Sequence, residues 1–374
     1  MAENDFNSLI KHFSPAWFAS VMGTGGLANV LYSLSTHFTF LKIVAQSLFF
    51  LNIFLFLILI IPWVLRWFLH INKLLEDLSH PIMSNFFPTM PVGGLVLGTN
   101  FFLIGKDFFS HENIVFIGNL LWLNGVILCL IFGVLVTYNM VVKEKIEPEF
   151  INFSWYIPPV ATIVVPLLGN MVARSYLNTN IEYARAVNFT DIIFFGIGLS
   201  LFILLNSILL NRFIVHKLPG SVATPTFWII LGPIGVGTLS LLGIADVSAS
   251  LNIIESAGLG TINFMGAIFW SFGVWAFLLV VIITLKYLIS EKHIPFTLSW
   301  WAFIFPLAAY TLSSYSIYQY CKVEYVYWYT VALATLLTFL WILTFISSIY
   351  GTFSGKYLFP KQVKEVIAAN KASG

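Results

Sequence analysis

Charged residues are scarce in this sequence. Asp, Glu, Lys and Arg make up 9% of its 374 residues, where a soluble domain carries roughly a quarter. A net charge of +2 with no basic run outside the loops leaves nothing to track a nucleic-acid backbone. Cysteine is almost missing: Cys129 and Cys321 are the two present, which excludes a disulfide framework and a cysteine-based metal cluster. The usual catalytic signatures are absent too, with no HExxH, G-x-S-x-G, P-loop or dinucleotide-binding glycine loop. Paired carboxylates within an apolar run, the mark of many membrane proton carriers and proteases, are also missing. The seven histidines (His12, His37, His70, His80, His111, His216 and His293) are scattered through loops and span ends. An enzyme is therefore not expected, and neither a metal nor a cofactor is called for.

What fills the chain is apolar. Hydrophobic residues reach 59%, aromatics 17% with 37 phenylalanines, and the mean hydropathy is +0.91. A spanning helix needs about 20 predominantly apolar residues. On that measure the fold class is all-α and polytopic, a single transmembrane domain over 1–374. Its ten spans fall near 15–35, 40–65, 84–105, 113–141, 152–174, 189–211, 222–245, 261–287, 297–319 and 324–350. Charges inside these windows lie near their ends, so no acid is expected at mid-membrane. The mixed polar leader before Pro15 lacks the basic start of a secretory signal, which makes the first apolar run a retained span. With both termini cytoplasmic, thirteen Lys and Arg fall inside and five outside, in keeping with the positive-inside bias of the cell membrane's multi-pass proteins.

Proline is unevenly placed. Pro15, Pro88, Pro91, Pro158, Pro159, Pro166, Pro225, Pro233 and Pro306 belong to odd-numbered spans, and Pro62 alone to an even one. Pro15, Pro88, Pro159, Pro233 and Pro306 follow one another at intervals of 73, 71, 74 and 73 residues. A fixed period of this kind marks repeated structural units. The unit here is a helical hairpin: one helix rich in small residues and proline, then one long bulky helix, used five times. Small residues let helices approach closely in lipid, so the odd helices are expected to gather round an axis with the bulky ones outside. The five prolines are then candidate helix breaks within the membrane.

Neutral polar residues keep the same register. Thr24, Asn100, Asn170, Thr238 and Thr311 recur at about the same period and are candidate pore-lining groups. Helix N-termini present unpaired N–H groups and partial positive charge to an anion, and a neutral wall with such dipoles holds an anion weakly enough to release it. Lys106 and Arg174 close odd spans three and five and could add positive potential at the outer mouth. Within the ninth span, SWWAFIFPLAAYTLSS (299–314), Phe305 stands directly before Pro306 and marks the expected narrowest point.

Two stretches are specific enough to carry a resemblance. FSPAWFASVMGTGGLA (13–28) resembles the first helix, and SWWAFIFPLAAYTL (299–312) the ninth, of the tellurite-resistance/dicarboxylate transporter family. PPVATIVVPL (158–167) and LGPIGVGTLSL (231–241) are similar to its fifth and seventh helices. The family includes the bacterial tellurite-resistance membrane protein, malic acid transporters, sulfite exporters and plant slow anion channels. The resemblance implies five hairpins around a pseudo-five-fold central pore, a homotrimer embedded in lipid, and a ninth-helix phenylalanine that occludes the pore. By position that residue is Phe305, or Phe303 in a shifted register. The implied cargo is a small anion, C4-dicarboxylates such as malate first, with an inorganic-anion channel or sulfite exporter as the alternative. A membrane-embedded enzyme, the alternative from another class, has no motif behind it.

Overall fold

The computed structural model describes residues 6–142 and 146–353, and among these there is helix and turn but no strand. Lys143, Lys145, Lys356, Lys361, Lys364 and Lys371, six of the thirteen cations assigned to the inner side, lie outside the described residues. In chain order the α-helices are α1 (Phe6–Lys11), α2 (Phe18–Leu34), α3 (Leu41–Leu69), α4 (Ile71–Leu78), α5 (Thr89–Leu103), α6 (His111–Val142), α7 (Ile157–Tyr176), α8 (Ile181–Val215), α9 (Thr224–Phe227), α10 (Leu231–Ser250), α11 (Ser256–Glu291), α12 (Trp301–Cys321) and α13 (Glu324–Phe353).

Long and short helices alternate. The bulky segments form α3, α6, α8, α11 and α13, of 29, 32, 35, 36 and 30 residues. The proline- and glycine-rich segments form α2, α5, α7, α10 and α12, of 17, 15, 20, 20 and 21 residues. Each short helix is preceded by a 3-10 turn, at Pro15–Trp17, Met83–Phe86, Phe153–Tyr156, Trp228–Ile230 and Leu298–Trp300. Three of these turns are capped by side chains, Ser14 accepting from the Ala16 N–H, Asn152 from Ser154 and Thr297 from Ser299.

The periodic prolines mark these entries. Pro15 opens the first 3-10 turn, Pro88 directly precedes α5, and Pro159 and Pro233 are third in α7 and α10. The first four N–H groups of a helix have no partner within it, so proline there forfeits no hydrogen bond. Pro306 lies one turn deeper in α12, which nevertheless continues to Cys321. Four of the five expected helix breaks are thus helix starts, and the fifth lies within a helix that does not stop.

Burial separates the two sets. The most apolar windows of α5, α7 and α10, each with its lead-in turn, are 83, 89 and 78% buried, against 22, 33, 22, 17 and 28% in α3, α6, α8, α11 and α13. These eight segments are long and apolar enough to cross a membrane. α2, with its small and polar residues, and α12, with its hydroxyl- and tyrosine-rich second half, are not among the eight. Each short helix packs against the long helix that follows it. The short helices also contact one another in sequence: α2 with α5, α5 with α7, α7 with α10, α10 with α12, and α12 with α2.

Hydrogen bonds tie neighbouring units at the spacing of the sequence repeat. Thr89 Oγ1 donates to the Pro15 carbonyl, Asn85 Nδ2 to Ser154 Oγ, Ser240 Oγ to the Ile163 carbonyl and Ser299 Oγ to the Val222 carbonyl, over separations of 74, 69, 77 and 77 residues. Where α10 crosses α12, Gly235 meets the backbone of Ala309 and Tyr310, with no room for a Cβ. Arg66 and Arg212, at the ends of α3 and α8, are buried and 146 residues apart, two periods. Arg66 pairs with Asp77 on α4 and donates to the carbonyls of Lys11 (3.2 Å) and Phe13 (2.8 Å). Arg212 donates to the carbonyls of Pro148 (2.7 Å) and Lys217 (2.8 Å).

Two substitutions test this packing. Gly235→Val forces α10 off the α12 backbone and is expected to cost about 1–3 kcal/mol or more, seen as a lower thermal midpoint in detergent by size-exclusion chromatography. An unchanged midpoint would show that the two backbones have slack. Arg66→Ala takes the donor from two carbonyls and leaves Asp77 to Lys73 (3.3 Å), at an expected cost of about 1–3 kcal/mol. Wild-type stability in that variant would reduce the arginine to an interfacial cation.

Candidate functional site

All five short helices or their lead-in segments meet at one cavity of about 50 Å³. The first unit contributes Ala16, Ala19 and Met22, the second Phe86 and Thr89, and the third Ile157 and Val160. The fourth adds Thr226, Ile229 and Gly232, and the fifth Leu298, Ser299, Trp301, Ala302, Phe305 and Pro306. Its hydroxyls are committed to nearby oxygens. Thr89 Oγ1 donates to the carbonyls of Pro15 and Phe86, Thr226 Oγ1 to that of Ala223, and Ser299 Oγ lies 2.6 Å from Thr297 Oγ1. The surface left to a solute is therefore apolar, and none of the lining residues is charged.

The two phenylalanines of the ninth span part company here. Phe305 lines the cavity and is 5% exposed. Its ring faces α2 at Gly26, where a Cβ would stand 3.8 Å from Phe305 Cδ2 and 2.8 Å from the Ala308 Cβ. Phe303 is not among the lining residues. Its ring is held edge-on between Trp228 (5.3 Å between centroids) and Trp300 (5.6 Å). Pro306 shares the wall with Phe305 and also lies against Gly232 of α10.

The five polar residues in repeat register are buried, and their hydrogen bonds go to helices. Thr24 accepts from the Trp341 indole of α13 at 3.1 Å. Asn100 donates to the Gly25 carbonyl (2.9 Å) and Asn29 Oδ1 (2.7 Å) and accepts from Asn52 Nδ2 (2.9 Å), which ties α2, α3 and α5 together. Asn170 Nδ2 reaches the Ser240 carbonyl at 3.5 Å, and its Oδ1 has no partner. Thr238 and Thr311 donate to carbonyls one turn back, at Ile234 and Leu307. None of the five lines the cavity. At the two outer-mouth candidates, Lys106 lies over the Tyr32 ring at 5.5 Å and Arg174 pairs with Asp246 at 2.6 Å. Arg174 therefore brings a neutralising partner to the surface with it.

One ionisable group escaped the sequence reading. Span six, read as 189–211, leaves Asp191 at its edge, but α8 begins at Ile181 and carries Asp191 ten residues inward, about 15 Å along the axis. Asp191 is wholly buried and accepts from Trp122 Nε1 at 3.2 Å. The expectation of spans without an internal acid is corrected at this residue. The missed signal was the start of the helix. Asn180 caps it by accepting from the Tyr183 N–H at 3.0 Å, and Glu182 stands in its first turn.

Known proteins are similar to this chain in sequence. The profile described as voltage-dependent anion channel matches residues 12–349. An uncharacterized transporter of Methanocaldococcus jannaschii is 37% identical over 348 residues, covering 93% of this chain and 96% of that one. A sulfite efflux pump of Arthroderma benhamiae is 25% identical over 91% of each chain. A malic acid transport protein of Schizosaccharomyces pombe is 22% identical over 79% of this chain and 68% of its own. The protein described here belongs to the voltage-dependent anion channel family, the same group of anion transporters that its first and ninth helices resemble.

Proposed function

We propose that this protein passes small anions across the membrane between its five short helices, and that Phe305 is the gate. The observation that carries the reading is the cavity drawn from all five repeats, with Phe305 and Pro306 in its wall. The cycle of contacts among α2, α5, α7, α10 and α12 supports ten helices arranged as five hairpins about a pseudo-five-fold pore. In this reading α2 and α12 complete the spans, and both termini are cytoplasmic. The largely exposed apolar faces of the long helices meet lipid and the neighbouring copies of a homotrimer.

An aromatic ring across a narrow apolar path excludes water, and a dry constriction is a barrier to any ion. Phe303, wedged between two tryptophans, is assigned to packing. Thr24, Asn100 and Asn170 tie the wall helices to their neighbours behind the path, while Thr238 and Thr311 spend their hydroxyls on their own backbone. With no cation in the lining, attraction for the anion falls to the dipoles of the helix starts at Pro15, Pro88, Pro159 and Pro233 and of the start of α12, a turn before Pro306. Lys106 contributes at the outer mouth, and Arg174 less, because Asp246 offsets it.

Two cargo classes follow. C4-dicarboxylates such as malate come first on the family resemblance. The small uncharged cavity favours a second reading, sulfite or another small inorganic anion, and relatives named for both cargoes are similar to this chain. Flux assays in proteoliposomes with malate, succinate, sulfite, chloride and nitrate separate the two. Phe305→Ala is expected to raise flux of the preferred anion about tenfold, equivalent to about 1.4 kcal/mol off the barrier. Phe303→Ala is expected to leave flux per folded protein unchanged while costing about 3–5 kcal/mol of stability. Unchanged flux in folded Phe305→Ala would remove the gate from that residue, and failure of all five anions would remove the transport reading.

A further inference from the structure

We propose that Asp191 is a proton-binding site built into the wall of the third hairpin, and that its ionisation loosens α7 and raises anion flux. The repeat shows why an acid stands there. Trp122, Trp270 and Trp341 follow one another at 148 and 71 residues, two periods and then one, on α6, α11 and α13. Trp270 donates to Ser314 on α12 at 2.9 Å, and Trp341 to Thr24 on α2 at 3.1 Å. Each indole thus finds a hydroxyl on the next short helix. For Trp122 that helix is α7, where the residue that lies directly against the acceptor is Gly169, which has no side chain to offer. The acceptor comes instead from behind: Asp191 of α8 reaches in and places its carboxyl where a Gly169 Cβ would be.

A carboxyl in this position is well adapted to holding a proton and poorly adapted to holding a charge. Oδ1 has the Trp122 indole, whereas Oδ2 is fully buried and has no hydrogen-bond partner. Among the described residues no cation answers it from any packed element. On α6, His111, Glu112 and Tyr138 lie at the exposed ends. On α7, Arg174 is engaged by Asp246 of α10, while Tyr176 and, on α8, Tyr183 bond Asn119. Also on α8, Glu182 pairs with Arg185, and Arg212 is bound to the carbonyls of Pro148 and Lys217. An unpaired charge buried in this way is far costlier than the neutral acid. When the O–H bond breaks and the proton leaves to water, the carboxylate must draw water or new donors between α7 and α8. Gly169 lies directly against it, and α7 supplies Ile157 and Val160 to the cavity, so that displacement reaches the path.

The flux arm of the test rests on the transport reading, and an infrared arm does not. In proteoliposomes, wild-type anion flux is expected to rise severalfold with pH, while Asp191→Asn, close in shape and still able to accept from Trp122, stays flat at the low-pH level. Anion flux that ignores pH in the wild type, or an Asp191→Asn variant that keeps the wild-type pH profile, would overturn the proposal. Infrared spectra of the wild type at neutral pH should contain the C=O band of a dry carboxylic acid that moves on ¹³C-labelling of aspartate alone. That band needs no variant to fold and no anion to move. Its absence overturns the proton site even where flux is robust; its presence in a protein that carries no anion tested overturns the transport reading and leaves the site standing.

Discussion

In hydrocarbon, a polar group that finds no partner within the protein finds none at all. That constraint shapes this molecule more than any single contact. The short helices come close enough to share it: Asn100 serves α2 and α3 from α5, Ser240 of α10 bonds a carbonyl of α7, and Gly235 lets two backbones touch. The long helices contribute indoles inward and leave bulky apolar side chains outward. Even the arginines at helix ends, Arg66 and Arg212, are consumed by backbone carbonyls rather than left to solvent.

Satisfying polar groups at the helix contacts has a consequence for the path. Every threonine and asparagine picked out by register is engaged with a helix neighbour or with its own backbone, so little polarity remains to face a solute. The cavity that results is apolar although polar residues surround it closely. On the transport proposal, a pathway of this kind would not bind its cargo by charge pairing. It would offer geometry, helix dipoles and an aromatic obstacle, and discrimination would come from size and from how readily an anion sheds water.

Much of this was legible in the sequence, for a physical reason. Proline and glycine record backbone events, so the roughly 73-residue period of the prolines reported the division into short and long helices. The location of side-chain bonds was not legible in the same way. Register placed Thr24, Asn170 and Thr311 at similar positions within their repeats, but a helix surface has many directions. The prolines were over-read as mid-membrane breaks because periodicity fixes a residue's place in the repeat and not its distance from the helix start. Phe305 and Phe303 are two residues apart, and only their neighbours, Gly26 in one case and Trp228 with Trp300 in the other, separate their surroundings.

Asp191 was lost to the same limitation in another form. Hydropathy marks where a chain is apolar, and α8 extends eight residues upstream of that mark, through Glu182 and Arg185, under the control of the Asn180 cap. The contacts of the indoles show what the acid replaces. Thr24 and Ser314 supply hydroxyls to indoles of the long helices, whereas on α7 the residue against the Trp122 acceptor is Gly169. A missing side chain at a repeated contact requires either a void or a substitute from elsewhere. In a bilayer, where a stranded indole N–H has no water to turn to, the substitute had to be polar, and the residue that fills it is an acid.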